Sequence, residues 1–142
     1  MDTIFSEYQP SVSILHLPHL YVAPSPTGGR GVFTAAAISA GSIIELAPVI
    51  LLSAEDRVTI DATRLHDYYF QWDGERGAIA LGLGSIYNHS EEANAEFSCV
   101  YGFRQIRFVA LRDIAAGEEI TTDYRSGQPR MKLWFRAGGE EE

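Results

Sequence analysis

The stretch Ser85-Ile86-Tyr87-Asn88-His89-Ser90 sets three consecutive polar side chains directly behind a run of glycines and apolar residues. The residues before it, Leu81-Gly82-Leu83-Gly84, leave the backbone free of bulk at every second position. A second polar segment lies downstream at residues 117–124, and a glycine-rich turn at residues 28–31 leads into a strand near the N-terminus. Polar runs are unusual in so apolar a setting, so these three segments are the candidates for a functional site.

Together and in this order, the three segments resemble the SET domain, the family of protein-lysine methyltransferases that use S-adenosylmethionine. The early Gly-x-Gly of the family is matched by Gly29-Arg30-Gly31, and its Asn-His-Ser-x-x-x-Asn by Asn88-His89-Ser90 with Asn94. Its closing Glu-hydrophobic-x-x-x-Tyr is matched by Glu119-Ile120-Thr121-Thr122-Asp123-Tyr124. The resemblance spans roughly residues 25 to 125, and the combination of motifs is specific although the first motif alone is weak.

Length and composition indicate one globular domain. The chain has 142 residues, of which 46% are hydrophobic and 21% charged, so it can bury one sizeable core. We divide it into a loosely ordered N-terminal segment at residues 1–10, a SET domain at residues 11–126, and a C-terminal segment at residues 127–142. That last segment ends in an acidic tail and is expected to help close the cofactor pocket.

The charge balance favours a cationic partner. Nineteen acidic residues against eleven basic ones give a formal net charge of −8, so a nucleic-acid backbone is disfavoured as a direct partner. Excess acid also keeps proteins soluble, and charge alone favours that plainer explanation.

Cysteine usage and hydropathy point to an intracellular protein. Cys99 is the only cysteine, so the chain has neither an internal disulfide nor a thiol cluster for zinc. No apolar run is long enough to cross a membrane, and the first residues lack the order of a secretion signal. We therefore expect a cytoplasmic location in a bacterium, and a cytoplasmic or nuclear one in a eukaryote.

Short strands at regular spacing predict a mainly β fold. Strands are expected at residues 12–17, 20–22, 68–72, 78–81, 97–103, 105–111 and 119–124, with a buried strand at Ile43–Leu52 interrupted at Pro48. Ser53 is the predicted N-cap of a helix that runs to about Leu65. The family resemblance adds a finer architecture, the SET-type β-clip fold: small curled sheets, one or two short helices, and a C-terminal pseudoknot that brings Tyr124 to the Asn-His-Ser segment.

The resemblance assigns the cofactor, S-adenosylmethionine, to residues of all three motifs. Glycine has no β-carbon, so Gly29, Arg30 and Gly31 would let the backbone pass close to it, although glycine-rich turns are common for other reasons. Asn88 and His89 would bind its amino-acid and adenine ends. Aromatic stacking by Trp134 would close the pocket, with packing of a terminal helix as an equal alternative.

Tyr124 is the predicted catalytic residue, and no metal is required. Its hydroxyl would orient the methyl group and the incoming amine, because a phenol is a poor base at neutral pH. Phe97 and Tyr87 are predicted to line the substrate channel. Phenylalanine at position 97 resembles the members of the family that add two or three methyl groups.

Two departures from the family pattern concern the channel and the tail. Where the family often has Tyr-x-Gly, this chain reads Ile44-Glu45-Leu46-Ala47-Pro48, so one channel wall must be built differently, with Tyr68, Tyr69 or Tyr87 as substitutes. The zinc-binding cysteines that follow the domain in many relatives are also missing.

Three other functions compete with methyl transfer. A hydrolase would use Ser90 with His89 or His66 and Asp123, but no Gly-x-Ser-x-Gly surrounds Ser90. A metal site would gather His16, His19, Asp61, His66 and Asp67, but two histidines three residues apart on a strand point to opposite faces. A non-catalytic SET-like module that binds a lysine-bearing partner or the cofactor is the serious alternative.

The resemblance therefore implies S-adenosylmethionine-dependent methyl transfer to the ε-amine of a lysine. The expected substrate is a basic segment of a ribosomal or chromatin-associated protein, drawn in by the acidic surface. A homodimer is expected to complete the peptide groove, since the domain has little flanking architecture.

Overall fold

The computed structural model describes residues 14–125, and strands dominate this part of the chain. The predicted features of residues 1–10 and 127–142, including the role of Trp134, lie outside the described residues. Residues 14–125 contain ten strands: β1 Leu15–His16, β2 Leu20–Pro24, β3 Arg30–Thr34, β4 Ile43–Leu52, β5 Phe70–Gln71, β6 Gly77–Ala80, β7 Asn88–His89, β8 Ala95–Val100, β9 Gln105–Ala110 and β10 Glu119–Thr122. The mainly β fold class is confirmed.

The predicted helix forms but ends earlier than expected. Helix α1 spans Ala54–Ile60, and a separate 3₁₀ helix follows at Arg64–Asp67. The chain breaks between them because Thr63 takes an extended conformation and its hydroxyl caps the 3₁₀ helix at the N–H of Leu65. A further 3₁₀ helix occupies Tyr101–Phe103. No helix within residues 14–125 has the length and apolar character needed to cross a membrane.

Strand β4 runs without a break through Pro48, so the predicted interruption there is wrong. Its first half pairs with β1 on one side, and its second half pairs with β6 on that side from Val49 onward. Pro48 falls between these two partners, where the missing N–H of proline leaves no ladder bond unmade. Its carbonyl still accepts a hydrogen bond from the N–H of Leu81 at 2.9 Å.

The sheet combines local hairpins with one strand, β10, that lies between strands from earlier parts of the chain. Strands β5 and β6 pair as a hairpin, as do β8 and β9. The order across the sheet is β2-β3-β10-β8-β9-β4-β6-β5, with β1 beside β4 and β7 beside β10. The final described strand therefore lies in the interior of the sheet, next to strands formed much earlier in the chain.

Strand β10 is antiparallel to β3 and parallel to both β7 and β8. Ile120 pairs with Val32, Thr121 with Asn88, and Thr122 with Ala95. The N–H of Ser90 extends the parallel pairing by donating to the carbonyl of Thr122 at 3.0 Å. The last strand thus runs alongside the Asn-His-Ser segment, as the family resemblance implies for the pseudoknot.

One apolar core packs against strand β10 and the strands beside it. Among its fully buried members are Val32, Ile44, Ile106, Phe108, Ile114 and Ile120, which come from β3, β4, β9, β10 and the loop before β10. Burying each such aliphatic or aromatic side chain stabilises the fold by about 1.5–3 kcal/mol. Because β10 contributes Ile120 to this core, its position in the sheet is fixed by packing as well as by hydrogen bonds.

Candidate active site

The glycine-rich loop is a tight turn that ends before Arg30. The N–H of Ser25 donates to the carbonyl of Gly29 at 2.9 Å, and Gly28 and Gly29 have φ angles of 105° and 65°. These left-handed values are readily adopted only by glycine. The predicted turn at residues 28–31 is therefore two residues too long, since Arg30 and Gly31 already belong to β3.

Gly31 leaves space that side chains of the other two motifs fill. A Cβ atom at this position would lie 2.2 Å from Oε2 of Glu119 and 3.0 Å from Nδ2 of Asn88. Any side chain at position 31 would therefore displace one of them. The three motifs meet at this point, and the glycine is needed for a contact within the protein itself.

Asn88 has its amide nitrogen fully engaged. Its Nδ2 donates to the carbonyl of Arg30 at 2.8 Å and to Oε2 of Glu119 at 2.8 Å, which uses both amide hydrogens. Its Oδ1 accepts no hydrogen bond from the described part of the chain. Although Asn88 is 7% exposed, this oxygen is left able to accept a hydrogen bond from a ligand.

His89 is held by the backbone of Tyr124. Its Nδ1 accepts a hydrogen bond from the N–H of Tyr124 at 3.1 Å, and the two rings lie 5.1 Å apart between centroids. An accepting Nδ1 carries no proton, so the proton of the neutral ring is on Nε2. Burial lowers the pKa of His89 despite the nearby carboxylate of Asp123, which favours this neutral form. His89 thus offers a hydrogen-bond donor at Nε2, whereas Asn88 offers an acceptor at Oδ1.

Tyr124 is the third residue of the candidate site, with Asn88 and His89. Its hydroxyl donates to the carbonyl of Tyr87 at 2.5 Å, so its proton is used within the protein and its oxygen can accept from a ligand. The parallel pairing of β7 and β10 brings Asn88, His89 and Tyr124 together from two segments that are remote in sequence.

Asn94, the last residue of the Asn-His-Ser motif, anchors β10. Its Oδ1 accepts from the N–H of Thr121 at 2.9 Å, and its Nδ2 donates to the carbonyl of Glu119 at 2.8 Å. Asn94 is 2% exposed. The motif therefore supplies one asparagine with an open oxygen, Asn88, and one that bonds to the closing strand.

The side chain of Tyr87 lies in the core and does not face solvent. It is 2% exposed, its hydroxyl donates to Oε1 of Glu45 at 2.6 Å, and its ring packs against Phe108 with centroids 4.5 Å apart. A channel-lining role for this side chain stays a prediction, and what Tyr87 gives the candidate site directly is its carbonyl, which accepts from Tyr124.

Sequence reasoning missed Glu45 as a support of the site. This carboxylate is 2% exposed, and it also accepts a hydrogen bond from the N–H of Leu83 at 2.9 Å. Burial raises its pKa, against the lowering effect of the Tyr87 and Leu83 bonds. The available signal was a single glutamate inside the apolar run Ile43–Leu52.

Phe97 belongs to an aromatic cluster. Its ring lies edge-on to Phe70 at 5.0 Å and 6.3 Å from Phe108, and it is 8% exposed. Of the proposed substitutes for the missing channel tyrosine, Tyr69 donates its hydroxyl to Asp61 at 2.7 Å instead. Phe70 was not predicted to belong to this aromatic cluster, although it follows two tyrosines in an aromatic run.

Ser90, His66 and Asp61 of the competing sites form hydrogen bonds that differ from those the competing sites require. The hydroxyl of Ser90 accepts from the N–H of Glu92 at 3.0 Å, the local bond expected of a serine at a turn. His66 pairs with Asp61 at 3.0 Å. Within residues 14–125, no three His, Cys, Asp or Glu side chains are grouped as metal ligands.

Known proteins resemble this chain in sequence and in fold. The family model of the SET domain matches residues 29–125. A histone-lysine N-methyltransferase of Schizosaccharomyces pombe, specific for lysine 37 of histone H3, is 33% identical over 108 residues, which cover 75% of this chain and 70% of that protein.

Solved structures resemble this chain in fold. A candidate histone methyltransferase of Plasmodium falciparum superposes with a TM-score of 0.63 at 27% identity, over 76% of this chain and 94% of that one. A chain of the Chaetomium thermophilum Polycomb Repressive Complex 2 gives a TM-score of 0.64 at 24% identity, over 74% of this chain but only 14% of that one, and shares the fold. With the motifs assembled in one place, these likenesses lead to one conclusion: the chain belongs to the SET domain family.

Proposed function

We propose that the protein transfers a methyl group from S-adenosylmethionine to the ε-amine of a lysine in a protein substrate. The observation that carries this proposal is the meeting of Asn88, His89 and Tyr124 at the parallel pairing of β7 with β10. Membership of the family and likeness to a histone-lysine methyltransferase support the same chemistry.

The residues present fit the proposed cofactor. Oδ1 of Asn88 would accept from its ammonium, and Nε2 of His89 would donate to an acceptor on its adenine. When bound, the cofactor supplies an electrophilic methyl group on a sulfonium. Gly28 and Gly29 shape the adjacent loop in a conformation that other residues rarely adopt.

Tyr124 would act by alignment. Because its hydroxyl donates to the carbonyl of Tyr87, the oxygen presents lone pairs to an incoming amine and can accept its N–H. Alignment of reacting groups can lower a barrier by roughly 7–11 kcal/mol. The amine would lose its proton to solvent, since a phenol is a poor base at neutral pH.

We propose a chromatin protein as the substrate and therefore a nuclear site of action. The net charge of −8 favours a basic segment, and histone tails and ribosomal proteins both supply one. The fission-yeast relative is specific for a histone lysine, which makes histone H3 the first substrate to test. Transfer of two or three methyl groups, inferred from Phe97, and a homodimeric assembly remain predictions.

One observation favours a second candidate, a module that binds without turnover. Residues 44–48, compared above with the family's Tyr-x-Gly, contain no tyrosine, and Leu46 in this segment is 2% exposed between strands β1 and β9. A channel wall that lacks this hydroxyl would position an amine less well. Such a module would still bind a lysine-bearing partner or the cofactor.

Calorimetric titration with S-adenosylmethionine and with S-adenosylhomocysteine tests the cofactor site. We expect saturable one-site binding that Asn88→Ala weakens roughly ten- to a hundred-fold, because a hydrogen bond to a charged group is lost. Gln71→Ala, which removes an amide that bonds to the carbonyl of Gly74, is the matched control and should bind normally. If the unchanged protein binds neither S-adenosylmethionine nor S-adenosylhomocysteine, the proposal is wrong.

Mass spectrometry of histone H3 and of ribosomal proteins after incubation with protein and cofactor then separates the two candidates. Methylated lysine establishes the enzyme. Cofactor binding without transfer to either class of substrate favours the binding module.

A further inference from the structure

The carboxylate of Glu119 connects all three motif segments. Its Oε1 accepts from the hydroxyl of Ser25 at 2.9 Å, and its Oε2 accepts from Nδ2 of Asn88 at 2.8 Å. Oε2 also occupies the space that the missing side chain of Gly31 leaves open. Glu119 is the first residue of β10, where it pairs with Phe33 of β3.

This arrangement controls which end of the Asn88 amide faces outward. An asparagine amide can be turned by 180°, exchanging a donor for an acceptor at nearly the same position. Two acceptors, the carbonyl of Arg30 and Oε2 of Glu119, surround the inner end and require the NH₂ group there. Because the bond to a carboxylate is charge-assisted, Glu119 contributes the stronger part of this preference.

The carboxylate is itself held in place. Ser25 binds its other oxygen, and the backbone of Glu119 is fixed by the bond from Nδ2 of Asn94 to its carbonyl. A carboxylate bound at both oxygens cannot turn away from Asn88 without breaking one of these bonds. The outward oxygen of Asn88 is therefore set by contacts that begin outside the ligand site.

We propose that Glu119 is a positioning residue that fixes the Asn88 amide so that Oδ1 accepts from the ammonium group of the cofactor. The inference rests on the proposed function, and it assigns Glu119 no contact with the cofactor. Replacing Glu119 by Gln keeps the shape but removes the charge. The new amide can present its nitrogen to Asn88, so the outward end can become NH₂, which repels an ammonium.

The test is a double-mutant cycle measured by calorimetry with S-adenosylhomocysteine. Glu119→Gln should weaken binding about ten-fold, a free-energy change of about 1.4 kcal/mol. In the Asn88→Ala background the same substitution should change affinity by less than about two-fold, because the residue through which it acts is gone. An equal loss in both backgrounds would overturn the proposal, since it would mean that Glu119 acts by its charge alone or through the fold.

A second readout uses S-adenosylhomocysteine in which the amino group is replaced by hydrogen. A positioning role predicts that Glu119→Gln leaves the affinity for this analogue unchanged, whereas a general loss of pocket structure would weaken both ligands. The matched control is Glu118→Gln, the neighbouring carboxylate, which bonds to Arg112 and Asn94 and not to Asn88. It should bind both ligands as the unchanged protein does.

Two further outcomes are distinguishable. If Glu119→Gln does not fold, Ser25→Ala replaces it in the cycle, because it frees the other carboxylate oxygen; a smaller loss that disappears in the Asn88→Ala background supports the proposal, and no loss overturns it. If the unchanged protein binds neither S-adenosylmethionine nor S-adenosylhomocysteine, the proposed function fails before any substitution is made, and this inference fails with it.

Discussion

At the scale of single residues, partners within the chain determine what each side chain of the candidate site can offer a ligand. Nδ2 of Asn88, Nδ1 of His89 and the hydroxyl proton of Tyr124 are all engaged in hydrogen bonds. Oδ1 of Asn88 and Nε2 of His89 make no hydrogen bond within residues 14–125, and the phenol oxygen of Tyr124 is a hydrogen-bond acceptor. The roles of these residues follow from their remaining atoms, because a group already bonded must first break that bond to bind anything else.

Replacing Tyr124 by Phe tests alignment at this scale. We expect cofactor affinity to stay within a few fold, because the ring and the backbone N–H that binds His89 are kept. Methyl transfer should fall on the order of a hundred-fold, as when one oriented polar group is removed from an active site. Single-turnover rates and calorimetry measure the two quantities. The control is Tyr21→Phe, on an exposed edge strand; an unchanged rate in Tyr124→Phe would remove this hydroxyl from the mechanism.

At the scale of secondary-structure elements, local signals predicted well wherever the structure uses local contacts. The hairpins β5–β6 and β8–β9 form between neighbouring runs, and Ser53 caps α1 as its sequence indicates. The prediction was wrong where an element depends on its neighbours. Strand β4 passes through Pro48 because its two partners on one side change there, which no property of β4 itself reveals.

The capping box of α1 gives a prediction for this element. The N–H of Asp56 donates to Oγ of Ser53 at 3.0 Å, and the N–H of Ser53 donates to Oδ2 of Asp56 at 3.0 Å. Ser53→Ala should lower the free energy of unfolding by about 1 kcal/mol, while Ser53→Thr keeps a capping oxygen and should lose much less. Urea unfolding measures both, and equal stability of the two variants would mean that the cap is unimportant.

At the scale of the whole molecule, Glu45 links the central strand to the segment that carries the candidate site. Its carboxylate binds Leu83 and Tyr87, which flank the approach to Asn88, and His16 of β1 lies opposite it. A buried carboxylate is tolerated only with such partners. Since burial raises its pKa, the folded state holds the Glu45 proton more tightly than the unfolded chain does.

This linkage predicts a pH dependence of stability. Between the ordinary glutamate pKa of 4.5 and the raised value in the folded state, the folded protein binds more protons than the unfolded one, so Glu45 makes stability fall as the pH rises. Glu45→Gln cannot titrate. Its stability relative to the unchanged protein should therefore increase from pH 4.5 upward, as measured by denaturant unfolding at several pH values. Glu75→Gln, at an exposed position, is the control; a difference that does not vary with pH for Glu45→Gln would contradict the prediction.

The sequence by itself determined the fold class, the approximate positions of the strands and the helix start, because alternation, turn residues and caps act over a few neighbouring residues. Its three motifs also indicated the family and the residues Asn88, His89 and Tyr124. Only the tertiary structure decided how these residues are held: Glu119 and Asn88 share the space above Gly31, Glu45 receives Tyr87, and β10 lies parallel to β7. Such contacts join residues far apart in the chain, where packing and register decide the outcome and no local pattern records it.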